Sequence, residues 1–161
     1  MSEQMKIEDV INETLAGDIQ KNALDFIAFL RTNDYSVDWD GTWWCVQYKG
    51  DCPILLGINT GGVKFGALFN YCNFKSDNSV DDELKEVAWG HVQMCRHFES
   101  DGKKCGCGNQ PGLVTIFDKE FNACKSPLTF IDPNAKTLDK IKQLILLLKG
   151  STDMKYAEQA E

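Results

Sequence analysis

The chain has 161 residues, a mass of 18.1 kDa and 43% hydrophobic content, enough to build the core of one domain and too apolar for wholesale disorder. Its 17 basic and 24 acidic residues give a formal net charge of −7 and a pI near 4.8, the wrong sign for a phosphate-backbone binder, so no nucleic-acid partner is expected. The longest apolar runs, such as Leu144 to Leu148, fall far short of the roughly 20 residues of a membrane span.

The opening MSEQMKIEDV has no basic region followed by an apolar stretch, so a cytoplasmic protein without a membrane partner is expected. From Ile7 to Leu30 apolar residues recur at helical spacing. Gly17 interrupts the pattern and Asp18 offers a cap. This predicts a short helix to about Leu15 and a longer one from Asp18 to Arg31.

The period then changes to two. Strands are predicted over Tyr35 to Trp39, Trp43 to Lys49, Pro53 to Ile58 and Val63 to Tyr71, with turns at Asp40-Gly41, Gly50-Asp51 and Asn59 to Gly62. Short connections make sequential neighbours pair, which gives an antiparallel meander of about four strands.

Ser79, with Asp82 three residues on, predicts the start of a central helix running from Val80 to His97. Its inner face would be Leu84, Val87, Ala88, His91 and Cys95. Glu99 to Gly112 is glycine-rich and cannot be regular structure. Short strands follow at Leu113 to Phe117, Phe121 to Cys124 and Leu128 to Ile131. A last helix is predicted over Ala135 to Leu148, stopped at Lys149-Gly150, with a polar, frayed tail over 151–161. The fold class is α+β: a meander with N-terminal, central and C-terminal helices, a single domain over 1–150, and a Cys-rich knuckle at about 95–124.

Seven cysteines are many for a cytosolic chain, where a reducing environment argues against a disulfide framework. Cys45 and Cys72 lie in apolar or aromatic strand contexts and are expected as buried hydrophobes. Cys52, before Pro53, is expected as an ordinary thiol. Cys95, Cys105, Cys107 and Cys124 differ. Zinc takes four soft ligands in a tetrahedron. Gly102, Gly106 and Gly108 let the one-residue spacing of Cys105 and Cys107 bend both thiolates inward, and a bound metal gives the loop a reason to be ordered. His91 and His97 are alternate ligands, and unligated thiols or redox chemistry are the competing readings. A full set of four cysteines leaves no open coordination position, which favours a structural over a catalytic zinc.

The stretch CRHFESDGKKCGCGNQPG and the segment TIFDKEFNACKSPLTFIDPNAKTLDKIKQLI, from Cys95 onward, resemble the C-terminal part of a family of uncharacterised proteins of anaerobic Firmicutes. That family carries a similar Cys-Gly-Cys-Gly…Pro-Gly stretch and a TIFGKEF…C segment, with Gly where this chain has Asp118. The resemblance covers the last third of the chain. The family has no established activity, so the resemblance implies the cysteine cluster and no reaction.

The aromatics gather on the meander, where sheet core is the plain reading. Trp43, Trp44 and Tyr48 are the candidate ligand-binding residues, since Trp43 and Trp44 point to opposite faces. No Ser-His-Asp spacing, HExxH, Walker loop or GxGxxG is present. The reading is a small-molecule-binding or protein-interaction module with a structural zinc. The alternative is a thiol-redox or zinc-hydrolytic enzyme using the Cys95, Cys105 and Cys107 region.

Overall fold

The computed structural model describes residues 4–60, 62–70, 74–75, 80–94 and 112–159. The chain gathers into two compact units, one of residues 1–67 with 131–161 and one of residues 68–130, where the sequence reading expects a single domain.

In the first unit, α1 spans Ile7–Thr14 and α2 spans Gly17–Thr32. Gly17 separates them with a φ of +65°, a left-handed value that a Cβ disfavours. Asp18 does not cap α2. Ala16 holds that position without a side-chain bond, and Asp18 lies in the first turn, where its charge suits the helix dipole.

Strands β1 (Ser36–Trp39), β2 (Trp44–Tyr48), β3 (Asp51–Thr60) and β4 (Val63–Phe69) follow as neighbours in that order, the expected meander. Asp40 folds the first turn: its Oδ1 accepts from the backbone N–H groups of Thr42 (2.8 Å) and Trp43 (2.7 Å). The β2–β3 turn is Lys49-Gly50, not Gly50-Asp51. Both residues have positive φ, +50° and +86°, the two-residue turn whose twist matches the paired strands.

Alternation along the strands puts Trp44, Val46, Ile54, Leu56 and Phe65 into the core. They are buried along with Ile7 and Ile11 of α1, Phe26, Ile27 and Leu30 of α2, and Leu138, Ile141, Leu144 and Ile145 of the last helix, α4 (Ala135–Gln159). The rings of Phe26 and Phe65 meet edge to face at 5.8 Å. Asn134 starts α4 by accepting from the N–H of Thr137 at 2.8 Å.

The helix does not stop at Leu148. It passes through Gly150 to Gln159 because polar side chains dock its last turns on the β2–β3 turn. Tyr48 Oη donates to Asp153 Oδ1 at 2.6 Å, Lys49 Nζ donates to the same oxygen at 2.8 Å, and Tyr156 Oη donates to the Lys49 carbonyl. Tertiary bonds here override the weak helix preference of Gly and Ser. Among the described residues no helix is long and apolar enough to cross a membrane.

In the second unit, α3 spans only Asp82–Gly90, followed by the short strand β5 (Val92–Met94). The expected helix to His97 therefore ends early, and Cys95 and His97 lie outside the described residues. Asp81 caps α3, its Oδ1 accepting from Leu84 N–H at 2.7 Å. The expected capping residue, Ser79, lies outside the described residues. Strands β6 (Gly112–Ile116) and β7 (Lys119–Ile131) form a hairpin, and β7 is one strand where the sequence suggests two runs. Phe117 and Asp118 make its turn with φ of +44° and +69°. Asp tolerates this region. Burial holds Phe117 there: its ring lies 5.4 Å from that of Phe74, and its N–H donates to the Phe74 carbonyl at 3.0 Å.

Phe26→Ala should lower the unfolding free energy in a denaturant titration by about 3–5 kcal/mol. Trp39→Ala, at an exposed position, should cost less than about 1 kcal/mol. Equal losses would contradict this placement of the core.

Candidate functional site

The cysteine-bearing segment has one fixed landmark, Ala123 of β7. Met94, the last residue of β5, pairs with Ala123, and so does Gly112, the first residue of β6. A strand has two edges, so β5 and β6 lie on opposite sides of β7, with Met94 and Gly112 about 10 Å apart across it. Met94 and Gly112, the described residues that flank 95–111, are therefore both paired with Ala123. Cys124 is the next residue of β7. Cys95 directly follows Met94, and Cys107 precedes Gly112 by 112 − 107 = 5 residues. Cys105 and Cys107 lie outside the described residues.

Beside this junction β7 bulges. Val92 pairs with Leu128 and Met94 with Ala123, so the stretch from Cys124 to Pro127 opposes a single residue, Gln93. Pro127 has no N–H for the ladder, and bulges are where such residues are accommodated. His91 lies at the start of β5. Its Nδ1 is 2.7 Å from the Val87 carbonyl. A carbonyl only accepts, so Nδ1 carries the hydrogen of this bond. The ring stacks on Phe130 at 4.4 Å, and Thr129 N–H donates to the His91 carbonyl at 3.2 Å. The sequence pattern did not foresee a second partner set: Trp89 Nε1 donates to the Ile116 carbonyl at 2.7 Å, and Lys119 Nζ sits 3.9 Å over the Trp89 ring. Among the described residues no group of three or more His, Cys, Asp or Glu is placed to hold a metal.

The aromatic candidates lie in the first unit and are not equivalent. Trp44 is buried, with its ring 5.3 Å from that of Trp39. Trp43 is half-buried at the β1–β2 turn. Tyr48 is half-buried, committed to Asp153, and packed 5.1 Å from Tyr35. The Asp153 carboxylate pushes the Tyr48 hydroxyl above its ordinary range, while Lys49, then Tyr48, hold Asp153 below its own.

Two features of this unit were not anticipated. Cys45 and Cys52 are joined by a disulfide, with Cα atoms 6.1 Å apart. This corrects the expectation of a buried free thiol at Cys45 and an ordinary one at Cys52. The second is a cleft of about 570 Å³ lined by Gln4, Met5, Lys6, Glu8, Arg31, Val37 and Asp38. Arg31 holds Glu8 with two bonds, Nε–Oε1 at 2.5 Å and Nη2–Oε2 at 3.0 Å. The partners belong to different helices, so no local spacing announces them. No family model, curated protein or solved structure matches the chain.

Arg31 holds the Glu8 carboxyl below its ordinary value of 4.5, with burial opposing. A carboxyl depressed in the folded state stabilises fully above its unfolded pKa and loses that contribution as pH falls through the folded one. Glu8→Gln should therefore melt lower than the parent at pH 6, by the equivalent of less than about 1 kcal/mol for so exposed a pair. The gap should close towards pH 3. A gap independent of pH would contradict the pairing.

Proposed function

We propose that the chain is a small binding module whose cysteine-rich segment is fastened by one structural zinc ion, held by the thiolates of Cys95, Cys105, Cys107 and Cys124. The observation that supports this reading is the double pairing of Ala123. It ties Met94 and Gly112, which flank the three cysteines in sequence, to the strand that carries the fourth. Zinc thiolate bonds are about 2.3 Å long and need all four sulfurs within a few ångströms. Pairing of the flanking residues on opposite edges of one strand is the support for that convergence.

A glycine-rich loop loses much conformational entropy on ordering. Structural zinc contributes on the order of 10 kcal/mol of apparent binding energy in small peptides, enough to offset the ordering of such a segment. His91 is the reserve ligand: its Nδ1 hydrogen is committed to a carbonyl, the arrangement that fixes a ligating imidazole elsewhere. With four sulfurs bound, no coordination position stays open for catalysis, so the assigned role is binding. The ligand surface is assigned to the half-buried Trp43, since Trp44 is buried in the core. A reducing, cytoplasmic setting keeps the four thiols available to metal.

Protein purified under reducing conditions should carry one zinc per chain by elemental analysis. Cys124→Ser should lose most of it and melt at lower temperature, as the parent should after chelation. Parent protein that is metal-free as isolated, binds no added zinc and keeps its melting temperature in chelator would overturn the reading.

A further inference from the structure

The hairpin of β2 and β3 holds chemistry outside the zinc quartet. Trp44, Cys45 and Val46 pair with Leu56, Leu55 and Ile54, and the register then shifts so that Tyr48 pairs with Asp51. Cys52 and Pro53 together oppose Gln47. Pro53 has no N–H to give to the ladder, and a bulge is where a strand accommodates it. The extra residue turns Cys52 to the face that carries Cys45 and Gln47, opposite the buried face of Trp44 and Val46. There the two sulfurs are bonded, and Gln47 Nε2 lies 3.7 Å from Cys45 Sγ. Cys45 is 8% exposed, whereas Cys52 is only half-buried.

The loop that this bond closes contains Tyr48, Lys49 and Asp51. These same residues receive the end of α4, through Asp153 to Tyr48 and Lys49, Tyr156 to the Lys49 carbonyl, and Lys155 to Asp51 at 3.5 Å. We propose that Cys45–Cys52 is a reversible thiol–disulfide exchange site for small thiols, attacked at Cys52, whose redox state sets how firmly the last turns of α4 are docked.

The exchange balances with a small thiol such as glutathione as the co-reactant. Its thiolate attacks Cys52 Sγ and forms a mixed disulfide. The Cys45–Cys52 bond breaks, and its electron pair leaves on Cys45 Sγ, beside Gln47 Nε2, and the new thiolate takes a proton from solvent. A second thiolate attacks the mixed disulfide at the glutathione sulfur. The products are the Cys52 thiolate, which is protonated, and oxidised glutathione. Overall, two thiols reduce one protein disulfide to two protein thiols.

Three measurements on the folded, full-length protein test this. Peptide mapping after alkylation should find Cys45 and Cys52 bonded without reductant and free after native incubation with glutathione. With oxidised glutathione, Cys45→Ser should take an adduct on Cys52 at least about tenfold faster than Cys52→Ser takes one on Cys45, because access governs exchange. Hydrogen exchange of the parent should quicken over 151–159 on reduction, with α2 unchanged. A pair that is free without reductant and not coupled by oxidised glutathione would overturn the proposal, as would one reduced only on global unfolding. So would equal adduct rates, or a helix end indifferent to redox state. The parent measurements stand even if a variant fails to fold, and none of them depends on zinc content.

Discussion

One pairing organises the second unit: Ala123 of β7, buried, with Met94 on one edge and Gly112 on the other. β-Ladders leave little freedom in register where one face is buried, since a slip of one residue exchanges the two faces. Met94 and Gly112, which flank 95–111, are therefore fixed to one position of β7. On the proposed zinc reading, these two pairings meet part of the entropy of bringing the flanking chain together.

The first unit depends on a similar economy. Its β2–β3 turn uses two positive-φ residues, Lys49 and Gly50, to set two strands in register. The side chains and carbonyl around that turn are also the landing site for α4. A helix whose last turns contain Gly150 and Ser151 has little helical preference of its own there. It persists to Gln159 because Asp153, Lys155 and Tyr156 find partners on the turn. The disulfide brackets that turn, so covalent, ladder and side-chain constraints converge on one short hairpin.

Much of this was legible in the chain. Period-3.6 patterning marked α1 and α2, and period-2 alternation with Asp40-Gly41 marked the meander. The misses have physical causes. Helical spacing from Leu84 to Cys95 suggested one long helix, but strand pairing with β7 claimed Val92 to Met94, and local pattern does not record a distant partner. The C-terminal extension of α4 rests on contacts more than a hundred residues apart, as between Tyr48 and Asp153. The Cys45–Cys52 bond needed the bulge at Pro53, which shifts the face of Cys52 and cannot be counted from spacing alone. Of the candidate ligand residues, Trp44 is buried and Tyr48 donates to Asp153, placements that spacing alone does not give because burial on a sheet is decided by what covers each face. Of the metal candidates, only Cys124 and His91 lie within the described residues, one on the bulged strand and the other at the head of its partner.

X-ray absorption at the zinc edge tests the central claim most directly, because it reports on the ligands without relying on stability. On protein isolated under reducing conditions, the account predicts a first shell of four sulfurs at about 2.3 Å. A shell dominated by nitrogen and oxygen, or no bound zinc at all, would contradict it.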